Sequence, residues 1–254
     1  MTLEILPIPA LKDNYIWLIA NRADGRAAVV DPPEPGPALE ALAARNLRLE
    51  TILNTHHHWD HVGGIAALKE STAARVLGPE GSGRRIPVDE EVGDGARVTV
   101  LGRPVTVLAV PGHTLDHIAY LFEKDGILLC GDTLFAMGCG RLFEGTPEMM
   151  WRSLDRLRRL PGETRVCCAH EYTLANGRFA LTVEPGNPAL RRRMKEVERL
   201  RAEGRPTLPS TIALERATNP FLRPESPEIR ARLGLEAADD VAVFARLREM
   251  KDRF

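Results

Sequence analysis

Thr55-His56-His57-His58-Trp59-Asp60-His61 packs four imidazoles and a carboxylate into seven residues, followed by Val62-Gly63-Gly64. Core packing asks for no such run, whereas neutral imidazole and carboxylate are donors that suit zinc, iron or manganese. Three more donors each follow an apolar, strand-like run: His113 after 105–110, Asp132 after 127–130 and His170 after 165–168. His56, His58 and His113 could give one ion three nitrogens. Asp60, His61 and His170 could hold a second, with Asp132 placed to bridge. A water shared by two cations titrates near ~7 instead of ~15.7, so such a centre would supply hydroxide at neutral pH. A closed structural zinc site is usually cysteine-rich. Here no cysteine fits and the donors outnumber one closed shell, so an open catalytic centre is expected. His57 and His117 read as residues that orient a ligand or fill space.

These donors need a sheet to carry them. Leu49–Asn54 reads as a buried strand and Ile65–Glu70 as a helix opening, which puts the histidines on a strand-to-helix loop at the carboxyl end of a strand. Before it, Leu3–Ile8, Tyr15–Ala20 and Ala27–Val30 carry apolar and β-branched residues between Asp, Asn and Gly turns. Helical spacing covers 37–45, a short strand covers 75–77, and residues 78–96, rich in Gly, Pro and charge, read as loop. Strands at 98–101, 105–110, 118–122 and 127–130 follow in antiparallel succession, then an amphipathic helix at 147–160 and a strand at 165–168. After His170 strand-like runs vanish and helices are expected at 174–182, 188–203, 211–218 and 239–253, punctuated by prolines. Residues 171–254 hold 16 Lys/Arg against 13 Asp/Glu, while residues 1–170 hold 18 against 22. A boundary near 171 is therefore expected between a mixed α/β domain and a small basic helical one.

Composition excludes several classes. At 254 residues with 44% hydrophobic content and net charge −1, the chain has no global field that would draw it to nucleic acid or a membrane. No run approaches the ~18 apolar residues of a membrane span. The first residues, Met1-Thr2-Leu3-Glu4-Ile5, lack a basic n-region and an apolar h-region, so no signal peptide is expected. Cys130, Cys139, Cys167 and Cys168 show no CxxC spacing and read as buried reduced thiols, which points to the cytoplasm. The basic tract Arg191-Arg192-Arg193-Met194-Lys195 reads as a solvated helix face, since no aromatic stacking platform surrounds it.

His56-His57-His58-Trp59-Asp60-His61, with His113, Asp132 and His170 downstream, resembles the metal signature of the metallo-β-lactamase superfamily. The resemblance implies an α/β (α+β) fold, an αββα sandwich of two mixed sheets with outer helices, followed here by a small C-terminal all-α domain. Gly131-Asp132-Thr133-Leu134-Phe135, the run 138–146, His170-Glu171-Tyr172-Thr173 and the terminal Lys251-Asp252-Arg253-Phe254 are similar to glyoxalase II, the hydroxyacylglutathione hydrolases. That likeness runs from Asn14-Tyr15-Ile16-Trp17 to the last residue.

What the resemblance implies is a metal hydrolase domain over 1–170 and a helical substrate-binding domain over 171–254. It implies two divalent ions, zinc foremost with iron or manganese as alternatives, and hydrolysis of S-D-lactoylglutathione to D-lactate and glutathione. Asp60 and Asp132, with a metal-bridging hydroxide, would be the catalytic carboxylates. Arg141, Phe143, Tyr172, Arg248 and Lys251 would bind glutathione. Phe143 stands where some members have tyrosine, Asp116 where glycine is common and Pro33 where glycine is usual. No nucleic-acid or membrane partner is implied, and a monomer is expected. A general thioesterase, a lactonase or a persulfide dioxygenase are the competing readings within the superfamily.

Overall fold

A computed structural model of the protein describes residues 3–254, which fall into two compact units. The first takes the chain to Ala109 and then Asp116–Gly131. Its elements are β1 (Glu4–Ala10), β2 (Asn14–Asn21), β3 (Arg26–Val30), α1 (Gly36–Ala43), β4 (Arg48–Leu53), α2 (Trp59–Val62), α3 (Ile65–Thr72), β5 (Arg75–Pro79), β6 (Glu90–Val92), β7 (Arg97–Val100), β8 (Arg103–Ala109), β9 (Ile118–Phe122) and β10 (Ile127–Gly131).

Strands β1 to β6 form one sheet in sequence order, antiparallel from β1 to β3 and parallel from β3 to β6. Pro7 and Pro9 lack a donor, and both lie on the edge strand β1, where a sheet tolerates that loss. Tyr15 to Ala20 of β2 are apolar on both faces and all buried, the pattern of a strand covered on both sides. The core beneath the helices gathers Ile16, Leu18, Val29, Ile52, Leu68 and Val76. Strands β7 to β10 form an antiparallel succession, with Val107 opposite Tyr120 and Leu128 opposite Leu121. Tyr120 on β9 donates its hydroxyl to the Asn54 carbonyl just past β4, at 3.0 Å, so both sheets of this unit brace the chain that leads into the histidines.

Two expectations fail here. Residues 78–96 contain a 3-10 turn at Ser82–Arg84 and strand β6. That strand has one apolar residue, and its place comes from pairing with β5 and from Glu91 accepting the N–H groups of Gly81 and Gly83, which no local pattern displays. The histidine run, expected as loop, also enters a one-turn helix: α2 starts at Trp59, with His58 extended at its N-cap and Asp60 in its first turn, where a carboxylate favours the helix start. The helix expected from Ile65 forms there as α3.

The second unit takes Val110–Leu115 and Asp132–Phe254. It contains β11 (Leu134–Phe135), β12 (Gly138–Cys139), α4 (Pro147–Arg158), β13 (Arg165–Cys168), α5 (Thr173–Val183), α6 (Pro188–Ala202), β14 (Ser210–Thr211), α7 (Ile212–Thr218), α8 (Pro227–Leu233) and α9 (Asp240–Asp252). The helices start where capping chemistry allows. Thr146, Asn187, Thr211 and Asp239 accept backbone N–H groups at the starts of α4, α6, α7 and α9. Helix α8 was not anticipated, because the prolines around it read as breakers; Pro227 instead occupies the first turn. The short β14, paired with β13, likewise contradicts the expectation that strands end at His170.

At the centre of this unit Glu215 is fully buried and accepts from Arg193 Nη2 (2.6 Å), Met137 N (2.8 Å), Asn219 Nδ2 (3.1 Å) and the Ser210 hydroxyl. Arg193 belongs to the basic tract expected on a solvated face; it is buried, so that reading fails at this residue. No helix among the described residues is long and apolar enough to cross a membrane.

Candidate metal centre

In the first unit, the chain leaves β4 at Leu53 and passes over Asp31, which ends β3 in a left-handed conformation (φ 49°). The buried Asp31 carboxylate accepts Thr55 N at 2.7 Å, the Thr55 hydroxyl at 2.6 Å and Asn54 Nδ2 at 3.2 Å. Because the Thr55 hydroxyl donates to Asp31, it accepts from Nδ1–H of His56 at 3.1 Å. Nε2 of His56 is thereby the bare nitrogen, and it converges with Nδ1 of His58 at 3.1 Å. That spacing is close to the ~3.3 Å edge which two metal–nitrogen bonds of about 2.05 Å subtend in a tetrahedron. Asp31 also lies 3.3 Å from Nδ1 of His61. Nε2 of His61 is 3.6 Å from Oδ2 of Asp60. Ligand atoms of Asp31, His56 and His61 lie within 4.8 Å of one another.

The other two histidines support this set. His57 Nδ1 sits 2.9 and 3.0 Å from the carboxylate oxygens of Asp116. His117 stacks on His56, centroids 4.6 Å apart at 17°. Asp116 is absent from the residues with positive φ, so the aspartate in place of glycine carries no left-handed strain there. Gly131 at the end of β10 does have positive φ (48°), and a Cβ on it would come within 2.3 Å of the Thr55 hydroxyl and 2.8 Å of His117. Glycine is required at that close approach.

In the second unit, His113, Asp132 and His170 come together. Nδ1 of His113 faces the Arg141 carbonyl at 2.8 Å. A carbonyl only accepts, so this nitrogen carries the proton and Nε2 is the donor. Asp132 presents one oxygen to each imidazole: Oδ2 is 3.4 Å from Nε2 of His113 and Oδ1 is 3.4 Å from Nε2 of His170. A Cβ on Gly140 would come 2.0 Å from the Asp132 carbonyl, so this glycine lets the chain close over the aspartate. Tyr172 lies flat on His170, centroids 4.7 Å apart at 3°.

Among the residues expected to bind substrate, Phe143 is exposed with its ring edge-on to His113 at 5.2 Å, and Tyr172 is partly exposed. The other three gather around one carboxylate. Asp252 Oδ1 is 2.9 Å from Nη2 of Arg248 and 3.6 Å from Nε of Arg141. Arg248 is only 5% exposed and donates to the Cys139 carbonyl at 2.9 Å, so it is no solvated helix end. Lys251 lies over Phe179 and Phe254, at 5.6 and 5.1 Å. Burial, then the charges of Arg248 and Arg141, hold its ammonium below the usual lysine range.

All four cysteines are buried and none is in a disulfide. Burial pushes the Cys139 thiol up to about 11 and Cys168 up to about 12, so no thiolate nucleophile competes with water here. Sequence reasoning missed Asp31 as an organiser. Its only trace was an aspartate ending an apolar strand, and its four contacts are visible only once β3 and β4 are paired. Asn14, whose amide reaches Asp60, was missed for the same reason.

The profile of the metallo-beta-lactamase superfamily matches residues 11–170, and that of the hydroxyacylglutathione hydrolase C-terminus matches residues 171–254. The chain is 58% identical over 253 residues to hydroxyacylglutathione hydrolase of Methylococcus capsulatus, covering 99% of both chains. It is 52% identical over 255 residues to that of Cereibacter sphaeroides, covering 100% of both. Among solved structures, ETHE1 from Myxococcus xanthus superposes with a TM-score of 0.67 at 27% identity, covering 99% of this chain and 98% of that one. The chain therefore belongs to the metallo-beta-lactamase superfamily and, within it, to the hydroxyacylglutathione hydrolases.

Proposed function

We propose that this protein hydrolyses S-D-lactoylglutathione to D-lactate and glutathione, the second step of methylglyoxal detoxification, as a cytoplasmic monomer. In this reading His56, His58 and His113 hold one divalent ion, Asp60, His61 and His170 hold another, and Asp132 serves both. Residues 1–170 form the metal hydrolase domain and 171–254 the helical substrate-binding domain. The observation that carries the reading is Asp132, whose two oxygens each face a different imidazole Nε2 at 3.4 Å. The donor set fits zinc, iron or manganese: imidazoles with one nitrogen bare, carboxylates, and no thiolate.

Bound there, the cations supply Lewis-acid polarisation of the thioester carbonyl and a water acidified to a nucleophile near neutral pH. The chain does the rest. Asp60 orients the attacking water by accepting a hydrogen bond from it. The water oxygen bonds to the carbonyl carbon, and the C–S bond breaks with its electron pair leaving on sulfur. One water proton ends on that sulfur and the other passes to solvent as the acid ionises. A thiol with pKa ~8.5 leaves readily, so no strong side-chain acid is needed. Glutathione brings two carboxylates, for which Arg141 and Lys251 offer positive charge. Arg248, committed to Asp252 and Cys139, shapes that corner from beneath. Phe143 and Tyr172 offer apolar edges beside the donor histidines.

Replacing Asp132 with Ala should remove metal, by elemental analysis, together with nearly all turnover of S-D-lactoylglutathione. Retention of both would contradict the reading.

A further inference from the structure

Asn14 opens β2, opposite Ala10 of β1, and is buried at 6% exposure. Its Nδ2 lies 3.1 Å from the backbone carbonyl of Asp60 and 3.2 Å from Asp60 Oδ2. Both partners are acceptors, which fixes the amide orientation without appeal to hydrogen positions. Oδ2 is also the oxygen that faces Nε2 of His61 at 3.6 Å. Nδ1 of His61 lies 3.3 Å from Asp31, and Nε2 and Oδ2, 3.6 Å apart, are close enough to serve one ion, with Asn14 holding one of the two atoms.

We propose that Asn14 is a positioning residue. Through one amide it locks both the main chain and the carboxylate of Asp60 so that Oδ2 meets an ion at the same place as His61. This rests on the reading of Asp60 as a metal ligand. Asp60 sits on a one-turn helix, and its side chain is 22% exposed. Left alone, a carboxylate there exchanges its partners for water. Asn14 belongs to a strand paired with β1 from Asn14 to Ala20, so the hydrogen bond ties a partly exposed carboxylate to a paired strand. Partners of this kind are worth about 10–100-fold in metal affinity or activity.

The experiment uses the intact chain, with Asn14→Ala and Asn14→Asp beside Asp60→Ala. Metal-free protein is titrated with zinc against a chromophoric chelator, and kcat and KM are measured separately with S-D-lactoylglutathione. Asn14→Ala should weaken one of two binding events about 10–100-fold. It should lower kcat with KM nearly unchanged, while the melting temperature of the metal-free chain stays near that of the parent. Asn14→Asp keeps the shape but sets a carboxylate against a carboxylate, so it should weaken the same binding event at least as much. It carries the test if alanine impairs folding. Parental affinity and kcat in both Asn14 variants, with Asp60→Ala defective, would overturn the proposal alone. Full metal and turnover in Asp60→Ala would instead overturn the reading beneath it.

Discussion

The two units prepare their donors by different means. In the first, the His56 imidazole is set by a relay of hydrogen bonds: Asp31 holds Thr55 and Thr55 holds His56, with the same carboxylate 3.3 Å from His61 Nδ1. The relay is mounted on paired strands, so it fixes nitrogen directions before any ion arrives. In the second, Asp132 stands between two imidazoles with Tyr172 on His170 and Phe143 against His113, and two arginines and a lysine of the same unit gather near Asp252. Under the proposed function, the difference divides the tasks. A hydrogen-bond relay suits making a nucleophile, which needs fixed geometry. A basic, ring-lined surface suits choosing a substrate that carries two carboxylates.

The sharpest way to break the comparison is to remove the frame of the second unit and ask whether the first survives. Glu215→Ala leaves Arg193 buried without its carboxylate, a loss of the kind that costs about 3–5 kcal/mol. For a chain of this size that corresponds to a fall in melting temperature of about 10 °C. Differential scanning calorimetry checks it, and an unchanged transition would mean that this unit is not held by its buried ion pair.

A smaller effect should separate substrate binding from chemistry. Lys251→Ala should raise KM for S-D-lactoylglutathione about tenfold, as expected for losing a hydrogen bond to a charged group, with kcat preserved. The pH dependence gives the sign. The ammonium is held below the usual lysine range, chiefly by burial, and only the protonated form attracts a carboxylate. In the parent, KM should therefore climb as pH rises through that lowered pKa, before an ordinary lysine would lose its proton. In Lys251→Arg the climb should vanish, because guanidinium stays charged. A KM profile identical in both proteins would remove Lys251 from the substrate site.

The smallest effect concerns Asp116. Its contact with His57 ties the histidine run to the loop before β9, but both side chains are partly exposed. Such pairs contribute about 0.2–1 kcal/mol. Asp116→Gly should thus weaken zinc binding by no more than about fivefold, read by chelator competition. A loss as large as that of Asp132→Ala would mean that the first unit depends on this pair and not on Asp31.

Much of the first unit is legible in the sequence because its strands are apolar runs closed by turn residues, and because the donors sit where those runs end. Less legible is whatever depends on partners distant in the chain. Asp31 ends a strand like any turn aspartate until β3 and β4 pair. Glu90-Glu91-Val92 is a strand only because β5 is beside it. Arg193 lies in a run of basic residues, and only Glu215, 22 positions later, draws it inside. Arg248 has helical spacing suited to a solvated end, yet its guanidinium reaches Cys139, 109 residues earlier. Periodicity reports which face of an element is apolar. It does not report which polar side chain a fold will bury by giving it a partner.

The division of labour is tested most directly by the leaving group. S-D-Lactoylglutathione should be compared with the coenzyme A thioester of the same acid and with a simple alkyl thioester, using one zinc-loaded preparation. If the second unit reads glutathione, kcat/KM for the glutathione thioester should exceed the others at least about a hundredfold, the worth of two charge-assisted contacts. Equal kcat/KM across the three would contradict it, leaving a metal hydrolase that activates water without choosing which thioester to cut.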